Sequence, residues 1–99
     1  MAPHRDIDAF HERAQHYEDG WLGRLHLEIA DRTVALVLAN AAAPTMRVLD
    51  VGCGTGYLLR RLAGRCPEAA ALAGVDPAPA MIEVAEAMSC DERLTFSIG

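Results

Sequence analysis

The 99-residue chain contains no lysine: its nine basic side chains are all arginine, set against fourteen carboxylates for a net charge of −5. The arginines are scattered, so the chain lacks the basic stripe that binding to nucleic acid or to an anionic membrane surface would use. Aromatic residues are few, at 5%, yet 52% of the chain is apolar, which supports a packed core and argues against general disorder. Cysteine is sparse and odd in number: Cys53, Cys66 and Cys90 form no Cys-x-x-Cys pair. That excludes a disulfide or zinc framework as the organising device and fits a reducing cytoplasm. His4, His11, His16 and His26 offer no pair at i, i+4 spacing and no completed ligand set, so no metal is expected. The longest apolar stretches, such as residues 34–44, are too short to span a bilayer. Residues 1–8 are polar and do not read as a signal peptide.

What is present is a regular alternation of patterns. Asp6 is placed to cap a short helix over residues 7–17, after which Gly20, Trp21 and Gly23 are expected to interrupt the helical pattern. A longer helix then runs to about residue 42, with Leu22, Leu25, Ile29, Thr33, Leu36 and Asn40 on one stripe at the helical period and Pro44 as its stop. Val48, Leu49 and Val51 predict a strand over residues 46–51 that is buried on both faces. Helical spacing returns over residues 57–65, with Leu58, Leu62 and Cys66 on one face, and Pro67 ends it. Residues 70–76 read as a second strand. Pro77 and Pro79 close it, and Pro79 suits the first turn of a helix whose apolar stripe is Met81, Val84, Ala85 and Met88. Residues 94–98 alternate as a third strand. Strand, helix, strand, helix, strand at these lengths predicts a right-handed parallel α/β unit over residues 45–99, preceded by a helical segment over residues 1–44.

The informative stretch is Asp50-Val51-Gly52-Cys53-Gly54-Thr55-Gly56. Three alternate glycines after a strand allow a sharp turn and a close backbone approach to a ligand, and the helix that follows turns its N-terminal amides the same way. About twenty residues beyond the last glycine the second strand ends in Asp76, whose carboxylate can accept hydrogen bonds from both hydroxyls of a ribose. A dinucleotide fingerprint needs Gly-x-Gly-x-x-Gly. Counted from Gly52 its third glycine falls on Tyr57, and counted from Gly54 it falls on Leu59.

The motif Asp-x-Gly-x-Gly-x-Gly over residues 50–56 resembles the first motif of class I S-adenosylmethionine-dependent methyltransferases. Gly74-Val75-Asp76-Pro77-Ala78-Pro79-Ala80-Met81-Ile82 resembles their second. The segment carrying Tyr17, Trp21, Gly23 and His26 is similar to the N-terminal helices of the small-molecule branch. The resemblance implies a Rossmann-like parallel sheet with strands in the order 3-2-1, S-adenosylmethionine as cofactor, and methyl transfer to a small molecule. It also implies roles. Gly52, Gly54 and Gly56 would surround the methionine end of the cofactor, Asp50 would hold the strand end and the local charge balance, and Asp76 would bind the ribose. Pro77 and Met81 would pack on the adenine, and Tyr17 would close over the methionine carboxylate.

Relative to that family the chain reads as the cofactor-binding half of the fold, truncated after the third strand. The first strand is then a bare apolar edge, through which self-association is expected. Two other readings stand beside methyl transfer: a non-catalytic binding or assembly module, and a nicotinamide-dependent oxidoreductase, which the glycine spacing disfavours. Cys53 reads as a small turn residue rather than a nucleophile. Trp21 reads as a packing residue, as do Met81 and Met88. No general base is assigned.

Overall fold

The computed structural model describes residues 20–40 and 45–99. The predicted helix over residues 7–17, its Asp6 cap and the Tyr17 assignment lie outside them. The described chain runs α1 (Gly20–Asn40), β1 (Arg47–Val51), α2 (Tyr57–Arg65), β2 (Ala71–Asp76), α3 (Pro79–Met88) and β3 (Leu94–Ile98). The three strands form one parallel sheet in the order β1-β2-β3, which is compatible with the expected 3-2-1.

Of the expected interruptions, Gly20 does leave helical backbone, with φ at 71°, whereas Trp21 and Gly23 do not break α1. The helix begins at Gly20, takes in Trp21 and buries Gly23. A glycine costs a helix only about 1 kcal/mol relative to alanine, and at Gly23 the missing side chain falls on the packed face. That face carries Gly23, Leu27, Ala30, Val34 and Leu38, steps of three and four residues along the helix, with Val34 only 1% exposed. The stripe expected from sequence is displaced from it. Leu22, Leu25, Ile29 and Leu36 are exposed, while Thr33 and Asn40 bond back to the carbonyls of Ile29 and Leu36, as polar side chains within helices often do. Both stripes obey the helical period, and only packing chooses between them. Trp21 is 70% exposed and Met88 is also exposed, so neither is the packing residue expected of it.

Among the described residues the sheet is covered on one face. Successive right-handed crossovers in the same direction carry α2 and α3 to the same side. Burial therefore alternates along β2, with Leu72, Gly74 and Asp76 buried and Ala71, Ala73 and Val75 half-buried. The expectation that β1 is buried on both faces does not hold: Leu49 is 63% and Val51 76% exposed. Val48 and Asp50, on the helix side, are half-buried. The register aligns Val48 with Leu72 and Leu94, and Asp50 with Gly74 and Phe96. The core lies between this face and the helices. It is built on Leu59, Leu62 and Leu72, all fully buried, with Val34 of α1 joining it. Each such side chain contributes about 1.5–3 kcal/mol.

One clamp closes the far end of α2. The Arg93 guanidinium donates to the carbonyls of Ala63, Cys66, Pro67 and Ala69 and is held by Asp91 at 2.6 Å. Four carbonyls at and beyond the helix C-terminus are gathered by one cation, and of these the Cys66 carbonyl also accepts from the Ala69 amide.

Candidate cofactor site

The site is built where β1 runs into α2. Gly52 and Cys53 both donate to the Val75 carbonyl, at 2.8 and 3.0 Å, so the end of β1 stays tied to β2 as the chain leaves the sheet. The turn closes with the Gly56 amide on the Cys53 carbonyl at 3.0 Å. Gly52, Gly54 and Gly56 all have positive φ, at 79°, 57° and 79°, a region that side-chain-bearing residues enter at a cost of about 1–2 kcal/mol. The three alternate glycines thus meet a conformational need.

They differ in what surrounds them. A side chain at Gly52 or Gly54 would meet nothing nearby, whereas one at Gly56 would strike the Phe96 ring at 2.8 Å. Gly52 and Gly54 leave open backbone that a ligand can approach. Gly56 instead lets β3 pack beneath the turn. Gly74 serves packing in the same way, since a side chain there would meet Cys53 Sγ at 2.7 Å and Phe96 at 2.9 Å.

Asp76, at the end of β2, is 9% exposed. Its Oδ2 accepts from the Gly54 amide and its Oδ1 from the Ala78 amide, both at 2.9 Å. A carboxylate has about four acceptor positions, so one on each oxygen remains after these two bonds. That is the complement a ribose diol requires. Pro77 is exposed beside it, and Met81 is 3% exposed, packed with Ala78 and Ala80. Asp50 has its pKa raised by burial and by the neighbouring Asp76 charge. Two carboxylates held near each other at one turn suit a ligand with cationic and hydroxyl groups. Burial, with Asp76 and Asp50 adding to it, pushes the Cys53 thiol up to about 11. The thiol is therefore protonated at neutral pH and is a poor nucleophile, in line with its reading as a turn residue.

Between the turn and α1 lies a cavity of about 350 Å³, within the range of small-ligand sites. Asp50, Gly52, Cys53 and Thr55 line it from the turn, and His26, Ile29, Ala30 and Thr33 from α1. Sequence reasoning singles out the turn side but not the α1 side. His26 enters only within the resemblance and among the histidines weighed as metal ligands, and Ile29 and Thr33 only as members of a packing stripe. Asp50, Gly52, Gly54, Gly56, Asp76 and Pro77 all fall at the C-terminal ends of β1 and β2 or in the turns that leave them, and Met81 in the first turn of α3. Among the described residues no group of three His, Cys, Asp or Glu could hold a metal ion, and no helix is long and apolar enough to cross a membrane.

A parallel sheet with a glycine turn after β1 and an acidic residue at the end of β2 defines a Rossmann-like nucleotide-cofactor domain. Likeness to known proteins narrows this class. The family model described as a methyltransferase domain matches residues 48–98, and the chain belongs to that family. It is 32% identical over 87 residues to a malonyl-[acyl-carrier protein] O-methyltransferase of Anoxybacillus flavithermus, a match covering 88% of this chain and 31% of that protein. It is 46% identical over 50 residues to the protein of the same name from Acetivibrio thermocellus, covering 50% and 17%. Among solved structures, the magnesium protoporphyrin IX methyltransferase of Synechocystis with bound S-adenosylmethionine superposes with a TM-score of 0.66 at 26% identity, over 97% of this chain and 48% of that one. The chain thus spans less than a third of the length of these curated relatives.

Proposed function

We propose that the chain binds S-adenosylmethionine across the glycine turn and serves an enzyme that transfers its methyl group to a small-molecule acceptor. The observation that carries this reading is the bond between the Gly54 amide and Asp76, which joins the open glycine turn to a carboxylate with acceptor positions to spare. In this reading the remaining acceptor positions of Asp76 take the ribose hydroxyls, and the exposed Pro77, with Met81 buried nearby, borders the adenine. Asp50 and the backbone at Gly52, Gly54 and Gly56 face the methionine end, its ammonium toward the carboxylate. Tyr17 is assigned to the methionine carboxylate from the resemblance alone.

When bound, the cofactor supplies a methyl group already activated on a sulfonium. The chain's own residues have then to bind it, orient it and keep water away. No side chain need act as a base unless the acceptor must lose a proton first. The names of the relatives make a carboxyl group on an acyl chain the acceptor class to test first, with a reducing cytoplasm as the setting.

The test is calorimetric titration with S-adenosylhomocysteine, with NADH as control. Binding of the first alone is the expected result. Binding of NADH alone would return the oxidoreductase reading, and binding of neither would favour a binding or assembly module. Self-association through the outer edge of β1 belongs to the same proposal, supported by the position of β1 at one edge of the described sheet and by the exposure of Leu49 and Val51 on its uncovered face. A monomer by light scattering at all concentrations would remove it.

A further inference from the structure

The cavity has one wall that belongs to the sheet and one that does not. Its turn side is anchored through Val75 and Asp76. Its other wall is α1, which packs chiefly on α2. The cavity-lining part of α1 is tied to α2 by the Asp31 carboxylate. Tyr57 Oη donates to Asp31 Oδ1 at 3.0 Å, and Arg61 Nε donates to the same oxygen at 3.1 Å. Tyr57 directly follows the last glycine of the turn and itself lines the cavity. His26, Ile29, Ala30 and Thr33 all lie within five residues of Asp31 on α1. One oxygen atom therefore links the α1 wall to the residue that ends the glycine turn.

We infer that Asp31 is a positioning residue for the methionine end of the cofactor, acting through Tyr57 and Arg61 to hold α1 over the cavity. This rests on the cofactor reading above and assigns a role within it to a residue outside the glycine and aspartate motifs. The adenosine half of the ligand is served by Asp76 and α3, whereas the bonds of Asp31 run to α2. The latch therefore acts on one end of the ligand and not on the other. That asymmetry separates positioning from a general loss of stability.

The experiment uses two probes on the full chain. S-adenosylhomocysteine carries the amino-acid end, and 5′-methylthioadenosine lacks it. Asp31→Ala is expected to weaken the first by about three- to tenfold, the range for one or two hydrogen bonds at a half-exposed site, and to leave the second within about twofold. Tyr57→Phe keeps the ring and removes one donor. It should give a smaller loss with the same selectivity, and little further loss when added to Asp31→Ala. Arg32→Ala, whose exposed partner Glu28 is on α1 itself, should match the wild type. Equal weakening of both probes, or of neither, overturns the inference while the cofactor reading stands. A wild-type chain that binds neither probe overturns both. Should Asp31→Ala fail to fold, the selectivity of Tyr57→Phe decides the matter.

Discussion

The Asp76 carboxylate and the Gly54 amide are joined by a 2.9 Å hydrogen bond across 22 positions of chain. The acidic end of β2 therefore shapes the glycine turn as well as presenting acceptor atoms beside it. Removing the side chain should do two things at once. Asp76→Ala is expected to weaken S-adenosylhomocysteine binding by at least about tenfold, since each hydrogen bond to a charged group contributes about 1.5–3 kcal/mol. It should also lower the melting temperature, because the Gly54 and Ala78 amides lose their acceptor. Asp76→Asn keeps one carbonyl oxygen and should recover part of the stability but little of the binding. Calorimetry and thermal unfolding on both variants separate the two effects.

The glycines of the turn should differ in their tolerance of alanine. Gly54→Ala meets only the cost of positive φ, about 1–2 kcal/mol. Gly56→Ala adds the collision with the Phe96 ring, and overpacking of this kind costs about 1–3 kcal/mol more. Denaturant unfolding should rank Gly56→Ala as the less stable. Titration of the surviving Gly54→Ala protein should show binding lost out of proportion to stability, because it is that open backbone which faces the ligand.

Thiol chemistry offers a direct check on the turn. Cys90 is exposed, Cys66 half-buried and Cys53 buried, and the Cys53 thiol is raised to about 11. A thiol reagent at neutral pH should label Cys90 first and Cys53 last. Cys53→Ala should bind S-adenosylhomocysteine within a few-fold of the wild type. Rapid labelling of Cys53 would contradict the burial that keeps it protonated.

Acid should loosen the Arg93 clamp. The hydrogen bonds and charge of Arg93 lower the Asp91 pKa to about 2, below its ordinary value of 3.8. The folded state thus holds that proton less tightly than the unfolded state does. The stabilisation is complete above the unfolded value and is lost as pH falls through the folded one. Melting temperature measured between pH 5 and pH 2 should decline for the wild type, and less steeply for Asp91→Asn. Arg93→Ala should destabilise more than Arg61→Ala, since it removes the guanidinium donor from the carbonyls of Ala63, Cys66, Pro67 and Ala69 together, whereas Asp31 keeps its bond from Tyr57 when Arg61 is lost.

Asp50 works in the opposite sense. Its pKa is raised by burial and by the Asp76 charge, so its ionised form opposes folding at neutral pH, and the strain is relieved as pH falls through the raised value. Asp50→Asn should raise the melting temperature at pH 7 and weaken S-adenosylhomocysteine binding. A variant that loses stability at that pH would show the carboxylate to be structural instead.

Much of the fold is legible in the residues themselves. The strands and helices from Arg47 onward fall within a residue of where apolar spacing, Pro67 and Pro79 put them, because each rests on local period and local backbone chemistry. The glycine turn and Asp76 are legible for the same reason: positive φ calls for glycine, and the strand end fixes the position of the carboxylate. The α1 wall of the cavity is not legible. Its stripe of Leu22, Leu25, Ile29 and Leu36 has the right period but the wrong face. Gly23 reads as a break because its use, close packing, exists only once a neighbour is present. Arg93 carries no signal at all, since the carbonyls it gathers belong to a segment 24 to 30 positions earlier.

By itself, then, the sequence determined the kinds of element, their order, and the pairing of a glycine turn with an acidic strand end. Those depend on torsion preferences and on periods that a few neighbouring residues express. The tertiary structure alone decided which face of α1 is buried and that, among the described residues, β1 is covered on one side only. It also decided that Asp31 meets Tyr57 and Arg61 from 26 and 30 positions away. Such contacts arise when elements distant in the chain are packed together, and packing is chosen by the fit of whole faces rather than by any residue's local preference.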